Sequence, residues 1–322
     1  MKKVLLAIAV LVIASSFSFS ADKKLVVGFS QIGAENPWRT EMSENMKDTF
    51  AKAGITLKFS DAQGKQENQI KALRSFIAQK VDVIILAPVV ETGWDAVLKE
   101  IKDRHIPLII VNRKIRPSVG NPEDYYVVFV GPDNTQAGKI AAQFVFDTFK
   151  NKPGPVNIIE LQGTVGASTA VERKKGFDEA LKSQPRFKII ASQSGDYTRA
   201  KGKEAAEAMI KAAKAQGQKI DVLWSHGDDE GIGGAQALTE AGLKPGKDVV
   251  VVSVDGLRMT FEEMVAGRYN ATIENPNKYG PQCVELVRTI AAGKKDTIPK
   301  NIWLKFTLYT AATAAKELPN RK

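Results

Sequence analysis

Short apolar runs alternate with segments of helical spacing along almost the whole chain. The runs fall at Leu25–Ser30, Leu57–Ser60, Val81–Ala87, Leu108–Val111 and Tyr126–Val130, then at Val156–Leu161, Lys188–Ala191, Val222–Trp224 and Val249–Val254. They are bounded by turn residues, and their cores are rich in Val and Ile without a polar alternation, as expected of strands covered on both faces. Between them, Met42, Met46 and Phe50 stand four apart, and Ile70, Leu73 and Ile77 follow the i, i+3, i+7 stripe of a helix. Strands alternating with helices in this way predict parallel sheets with helices on both faces. The two series predict two such units, joined near "VGPDNTQAG" (Val130–Gly138), because Gly131-Pro132 is unsuited to the inside of a central strand. "YNATIENP" (Tyr269–Pro276) and "LKFTLY" (Leu304–Tyr309) offer two further crossings. No repeat with a period of about 20–50 residues is present, which excludes a solenoid.

The N-terminus breaks the pattern. Lys2 and Lys3 precede "VLLAIAVLVIA" and then "SSFSFSAD", the basic start, short apolar core and small-residue end of a secretory signal peptide cut after Ser20. The apolar run is well short of the roughly 20 residues a membrane span needs. The chain is therefore expected to be exported and soluble. Its 322 residues allow two ordinary domains, and 43% hydrophobic with 25% charged residues is a globular composition. Cys283 is the one cysteine, so no intrachain disulfide forms. It stands in a helical pattern and is expected to be a buried apolar residue. The formal charge of +10 falls to about +8 without Lys2 and Lys3. Most of the basic residues are lysines scattered along helices, with no aromatic-interleaved stripe, so a solvated surface is favoured over a nucleic-acid site.

In open parallel sheets, ligands sit beyond the carboxyl ends of the strands. The residues there are unusually polar. The first run is followed by Glu35, Asn36, Trp38 and Arg39, and "PLIIV" by Asn112 and Arg113. "VNIIELQG" leads to Thr164, Gly166, Ser168 and Arg173, and "DVLWSHG" to Asp228, Asp229 and Glu230. "DVVVVSV" is followed by Asp255 and Gly256, and "YNATI" by Glu274 and Asn275. Such groups suit a polyhydroxylated ligand, because a sugar hydroxyl both donates and accepts and is held well between a carboxylate or amide oxygen and an Arg or Asn donor. Trp38 can cover the apolar C–H face of a ring. Asn36-Pro37 is equally a helix start, but that leaves Glu35, Trp38 and Arg39 unexplained. Asp228 and Ser168 read evenly as helix caps or ligand contacts, whereas Trp94 reads as helix packing or a cleft rim, and Trp224 and Trp303 as packing residues. An enzyme is the rival class, since Asp228, Asp229, Glu230 and Asp255 could supply the paired carboxylates of glycoside hydrolysis. There is no G-x-S-x-G, H-E-x-x-H, CxxC or Walker loop, and His105 and His226 are the only histidines.

Five stretches carry a resemblance: "VVGFSQIGAENPWR", "DAQGKQENQIKALRSFIAQKVDVIILAPVVETGWDAVLKE", "ELQGTVGASTAVERKKGF", "SQSGDYTRAKGKE" and "EAGLKPGKDVV". With them the mature chain resembles, over essentially its whole length, the periplasmic sugar-binding proteins of the ribose/galactose type, and within these the galactofuranose-binding branch. The resemblance implies an α/β fold of periplasmic binding protein type I, with two doubly wound parallel-sheet lobes joined by a three-stranded hinge. It implies a first lobe of residues 22–131 plus 275–305 and a second of 132–274 plus 306–322. It implies a monosaccharide ligand, a membrane ABC permease as partner, no cofactor, no metal and no catalysis, in a periplasmic monomer. Glu35, Trp38, Arg39 and Arg113 would hold the ring from the first lobe, Arg173 and Asp255 would close from the second, and Asn275 would add a hinge contact; Asn112 and Asp228 complete the candidates. Two positions depart from the family pattern, Asn112 standing for an Asp and Gly227 for an Asn. With fewer acids against Arg39, Arg113 and Arg173, a sugar acid or other hydroxylated anion is the alternative ligand. A membrane sensor is the alternative partner. A sugar-sensing repressor of the same fold would need a helix-turn-helix where this chain has its export signal.

Overall fold

The computed structural model describes residues 24–321; the expected signal peptide, residues 1–20, lies outside the described residues. The chain begins with β1 (Val26–Gln31), α1 (Pro37–Lys52), β2 (Thr56–Asp61), α2 (Gln66–Ala78), β3 (Val83–Leu86), α3 (Asp95–Asp103), β4 (Leu108–Val111) and β5 (Val128–Pro132). A second series follows, with α4 (Asn134–Phe149), β6 (Val156–Gln162), α5 (Ser168–Leu181), β7 (Phe187–Ser194), α6 (Arg199–Ala215), β8 (Val222–Ser225), α7 (Asp228–Glu240), β9 (Val250–Asp255), α8 (Arg258–Val265) and β10 (Ala271–Glu274). The chain ends with α9 (Gly280–Ala291), β11 (Asn301–Leu304), β12 (Thr307–Thr310) and α10 (Ala311–Glu317). Two six-stranded sheets result, ordered β11-β5-β4-β3-β1-β2 and β12-β10-β9-β8-β6-β7.

Each central strand supplies two cores at once. Val83 and Ile85 of β3 face the core built with α1 and α9, while Ile84 and Leu86 face the one built with α2 and α3. In the second sheet Leu223 joins the α6–α7 core, while Val222 and Trp224 join the α4–α5 core. This double burial is why the runs are apolar without alternation. Trp224 stacks on Phe177 at 5.2 Å, and Cys283 is buried with its thiol pushed up to about 12 by desolvation. Among the described residues, no helix is long and apolar enough to cross a membrane.

The chain passes between the sheets after β5, between β10 and α9, and between β11 and β12. The stretch Leu304–Tyr309 makes the crossing expected of it, as the end of β11, a two-residue link and most of β12. β11 pairs parallel with β5, and β12 pairs antiparallel with β10, the one antiparallel strand pairing among the described residues. The reason is geometric. The other strands of both sheets run toward the gap between the lobes, so a strand that continues straight across it must run away from the gap in the second sheet. Gly131 and Pro132 lie within β5, where Pro132 is the last residue and its missing N–H costs the ladder little.

Candidate functional site

The carboxyl ends of the two sheets face each other, and the polar strand-end residues meet between them. On the first lobe, Asn36 caps α1 by accepting from the Arg39 amide at 3.0 Å, and Pro37 occupies the first helical position. That start buries Trp38 and Arg39 in the first turn. The indole Nε1 donates to the Asn275 carbonyl at 2.7 Å, and the ring meets Tyr279 edge-on at 6.4 Å. The Arg39 guanidinium lies 4.8 Å over the Trp38 ring; its Nε donates to Glu35 Oε1 at 3.2 Å and its Nη2 to Asn112 Oδ1 at 3.1 Å. Arg113 is buried and donates from Nη1 to the Val89 carbonyl at 2.7 Å, while its Nε has no protein acceptor. Burial, and then the neighbouring Arg39, lower its pKa to about 10.

On the second lobe, Arg173 of α5 donates from Nε to Asn134 Oδ1 at 3.0 Å and from Nη1 to the His226 carbonyl. Its Nη1 stands 4.0 Å from Asp255 Oδ1. Asp255 ends β9 with φ 136°, a conformation side-chain-bearing residues rarely adopt. Burial pushes its carboxyl up to about 7; Arg173 opposes the shift and Asp228 adds to it.

Trp38, Arg39, Asn112, Arg113, Arg173, Asp255 and Asn275 all line one interlobe cavity of about 20 Å³. Asn36, named with the first strand-end group, completes the lining together with Thr169 and Tyr197, which the sequence reading did not place in the site. Tyr197 is the main omission. Its hydroxyl donates to Thr169 Oγ1 at 2.9 Å, and its ring lies 5.4 Å from the Arg113 guanidinium and 5.8 Å from that of Arg173. The strand-end rule would have found it had β7 been followed to Ser194 rather than Ala191.

Two candidates do not line the cavity. Glu35 stands behind Arg39 as its ion-pair partner. Asp228 is neither the helix cap nor a wall residue: Gly227 holds the cap position, and the Asp228 carboxylate accepts from Ser253 Oγ, from Thr272 Oγ1 at 2.7 Å and from the Leu257 amide at 2.7 Å. It braces the turn after Asp255. Position 227 has little room for a side chain, since a Cβ there would lie 2.8 Å from the Tyr197 ring. Trp94 packs in the α2–α3 core, but Trp303 is half exposed, with one edge against Phe129. Ser168 bridges the lobes by accepting from the Lys114 amide at 2.8 Å. The same rim carries Lys114 Nζ to Glu172 Oε1 at 2.6 Å and the Glu91 amide to the Gly166 carbonyl at 3.0 Å.

A family model described as the periplasmic binding protein domain matches residues 27–295. The chain is 47% identical to the galactofuranose-binding protein YtfQ of Escherichia coli K12, covering 100% of this chain and 98% of that one. Among solved structures, the binding protein of the arabinose ABC transporter from Shewanella sp. ANA-3, bound to α- and β-L-arabinofuranose, is 45% identical with TM-score 0.87, over 92% of this chain and 95% of that one. A Mycobacterium smegmatis protein in complex with β-D-fucofuranose is 42% identical with TM-score 0.87, over 92% and 94%.

Proposed function

The chain belongs to the periplasmic binding protein domain family, and from that premise we propose that it is an exported receptor that captures a furanose monosaccharide between its lobes and delivers it to an ABC permease. The observation that carries the reading is a cavity walled from both lobes, with Trp38, Arg39 and Arg113 facing Arg173, Tyr197 and Asp255. Ligand enters with the lobes apart, and closure adds the second wall. The closed form is favoured only by contacts the ligand makes to both lobes at once. The lobes are divided as residues 22–131 with 275–305, and 132–274 with 306–322. The protein works as a periplasmic monomer after removal of residues 1–20.

The ring form follows the relatives, whose named ligands are galactofuranose, arabinofuranose and fucofuranose. Binding without catalysis is supported by the acids. Glycoside hydrolysis needs two carboxyl groups at the bond. Of Asp228, Asp229, Glu230 and Asp255, Asp255 alone lines the cavity. A second reading, a sugar acid, is favoured by the three guanidinium groups of Arg39, Arg113 and Arg173 around that single acid.

Thermal stability of the mature protein against furanoses, pyranoses and uronic acids tests the proposal. A bound ligand at a hundredfold excess over its Kd adds about 2.7 kcal/mol. Stabilisation by galactofuranose or arabinofuranose is expected. Stabilisation by uronic acids alone would transfer the assignment to the second reading, and none with any sugar would end both.

A further inference from the structure

We propose that Glu230 is a positioning residue of the cleft, which holds Tyr197 in place through its backbone amide and so sets ligand affinity without touching the ligand. The part concerning affinity rests on the reading of the cavity as the ligand site. Tyr197 belongs to a turn in which two successive residues are left-handed, Asp196 at φ 51° and Tyr197 at φ 58°. That region is disfavoured for a bulky L-residue such as Tyr197, so the turn needs an anchor. The Tyr197 amide donates to Glu230 Oε2 at 2.8 Å, with both groups buried. The anchor itself is fixed, because α6 and α7 are pressed together there: a Cβ on Gly202 would lie 2.4 Å from the Glu230 carbonyl oxygen.

The turn reaches the cavity from this anchor. The Tyr197 carbonyl accepts from Asn36 Nδ2 of the other lobe at 3.3 Å, and the ring lies near both Arg113 and Arg173. Displacing the turn would therefore disturb a lobe-to-lobe hydrogen bond and two guanidinium contacts together. Glu230 does not line the cavity, and its Oε1 has no hydrogen-bond partner. Burial raises its pKa well above the usual carboxyl range, the Tyr197 amide opposes this, Asp255 adds to it and Arg173 opposes it. Glutamine is its isostere and keeps a side-chain oxygen that can accept from the Tyr197 amide.

The test compares Glu230→Gln with Glu230→Met, which keeps an unbranched chain of similar length but removes the oxygen acceptor. Two quantities are read: hydrogen exchange of the Tyr197 amide in the ligand-free protein, and Kd for whichever furanose or sugar acid stabilises the wild type. In Glu230→Met the amide is expected to lose about tenfold or more of its protection, and Kd to weaken about tenfold, the size of one lost buried hydrogen bond. Glu230→Gln should keep both near wild type. In a Tyr197→Ala background, Glu230→Met should weaken affinity less than it does in the wild type, because the ring contacts are already gone while the backbone amide and carbonyl of residue 197 remain. Wild-type protection of the Tyr197 amide in Glu230→Met would overturn the proposal, as would equal damage by both variants or an undiminished effect without Tyr197. A wild type that binds neither ligand class would refute the functional reading and the affinity role with it, while the exchange measurement still decides whether Glu230 holds the turn.

Discussion

The pH dependence of binding separates the two proposed ligand classes, and replacing Asp255 by asparagine tests whether that carboxyl is its source. The carboxyl group titrates at about 7 in the folded protein, with Arg173 4.0 Å away and Asp228 behind it. Glu230 and Asn275 also face this region. A neutral sugar hydroxyl donates to the carboxylate, so the ionised form is the competent one. For a group titrating near 7, that form makes up about one-tenth of the protein at pH 6 and about nine-tenths at pH 8. Apparent affinity scales with the competent fraction. Kd for a neutral furanose should therefore be about tenfold weaker at pH 6 than at pH 8, about 1.4 kcal/mol. A sugar acid has the opposite sign, because its carboxylate is repelled by ionised Asp255 and binds better as the pH falls. Asp255→Asn should flatten either profile. Titration calorimetry in buffers of different ionisation enthalpy reads both Kd and the protons released. A profile already flat in the wild type, or a slope that survives in Asp255→Asn, would refute the reasoning.

Three further outcomes follow from the same geometry. Asp255→Gly should relieve a φ of 136°, strain of order 1–3 kcal/mol less glycine's entropic cost; chemical denaturation is expected to show a gain of about 1 kcal/mol alongside lost binding, and a less stable variant would contradict the strain. Lys114→Ala removes the interlobe pair with Glu172, whose side chains are 33% and 17% exposed. At such exposure the expected loss is under about 1 kcal/mol, up to about fivefold in Kd and fading with salt, so a hundredfold loss would show that the rim does more than screen-exposed pairing. For Glu160, burial acts to raise the pKa, but His226, Ser192 and Lys174 together hold it down at about 2, against 4.5 when unperturbed. A depressed carboxyl contributes stability above its unfolded value and loses it as pH falls through the folded one. Glu160→Gln should therefore flatten the acid limb between about pH 4.5 and 2, a difference of about 3 kcal/mol, and an unchanged limb in denaturant titrations would assign acid sensitivity elsewhere.

The layered α/β pattern was legible in the sequence because its strands are covered on both faces. Leu108–Val111 matches β4 residue for residue, and the alternation of Val83 and Ile85 with Ile84 and Leu86 between two cores explains why no polar position interrupts β3. The strand-end rule located Arg39, Arg113, Arg173 and Asp255, since it depends only on where each strand stops. It is blind to which way a side chain turns. Asp228 stands directly after β8 and its cap, yet its carboxylate points to Ser253, Thr272 and the Leu257 amide. Tyr197 escaped because β7 is an edge strand whose last residues, Ser192 to Ser194, are polar and read as loop. Trp303 escaped for a related reason. β11 is also an edge strand, and an aromatic there can pack one side on Phe129 and leave the other in water.

The central claim is that the cleft selects a furanose ring. Galactose labelled at the anomeric carbon carries both ring forms in solution, and the carbon spectrum of the protein-bound sugar shows which form has been taken up. The account predicts a bound signal in the furanose region, enriched over its share in free sugar and lost in Arg113→Ala. A bound pyranose signal, or binding confined to a uronic acid with no galactose signal at all, would contradict it.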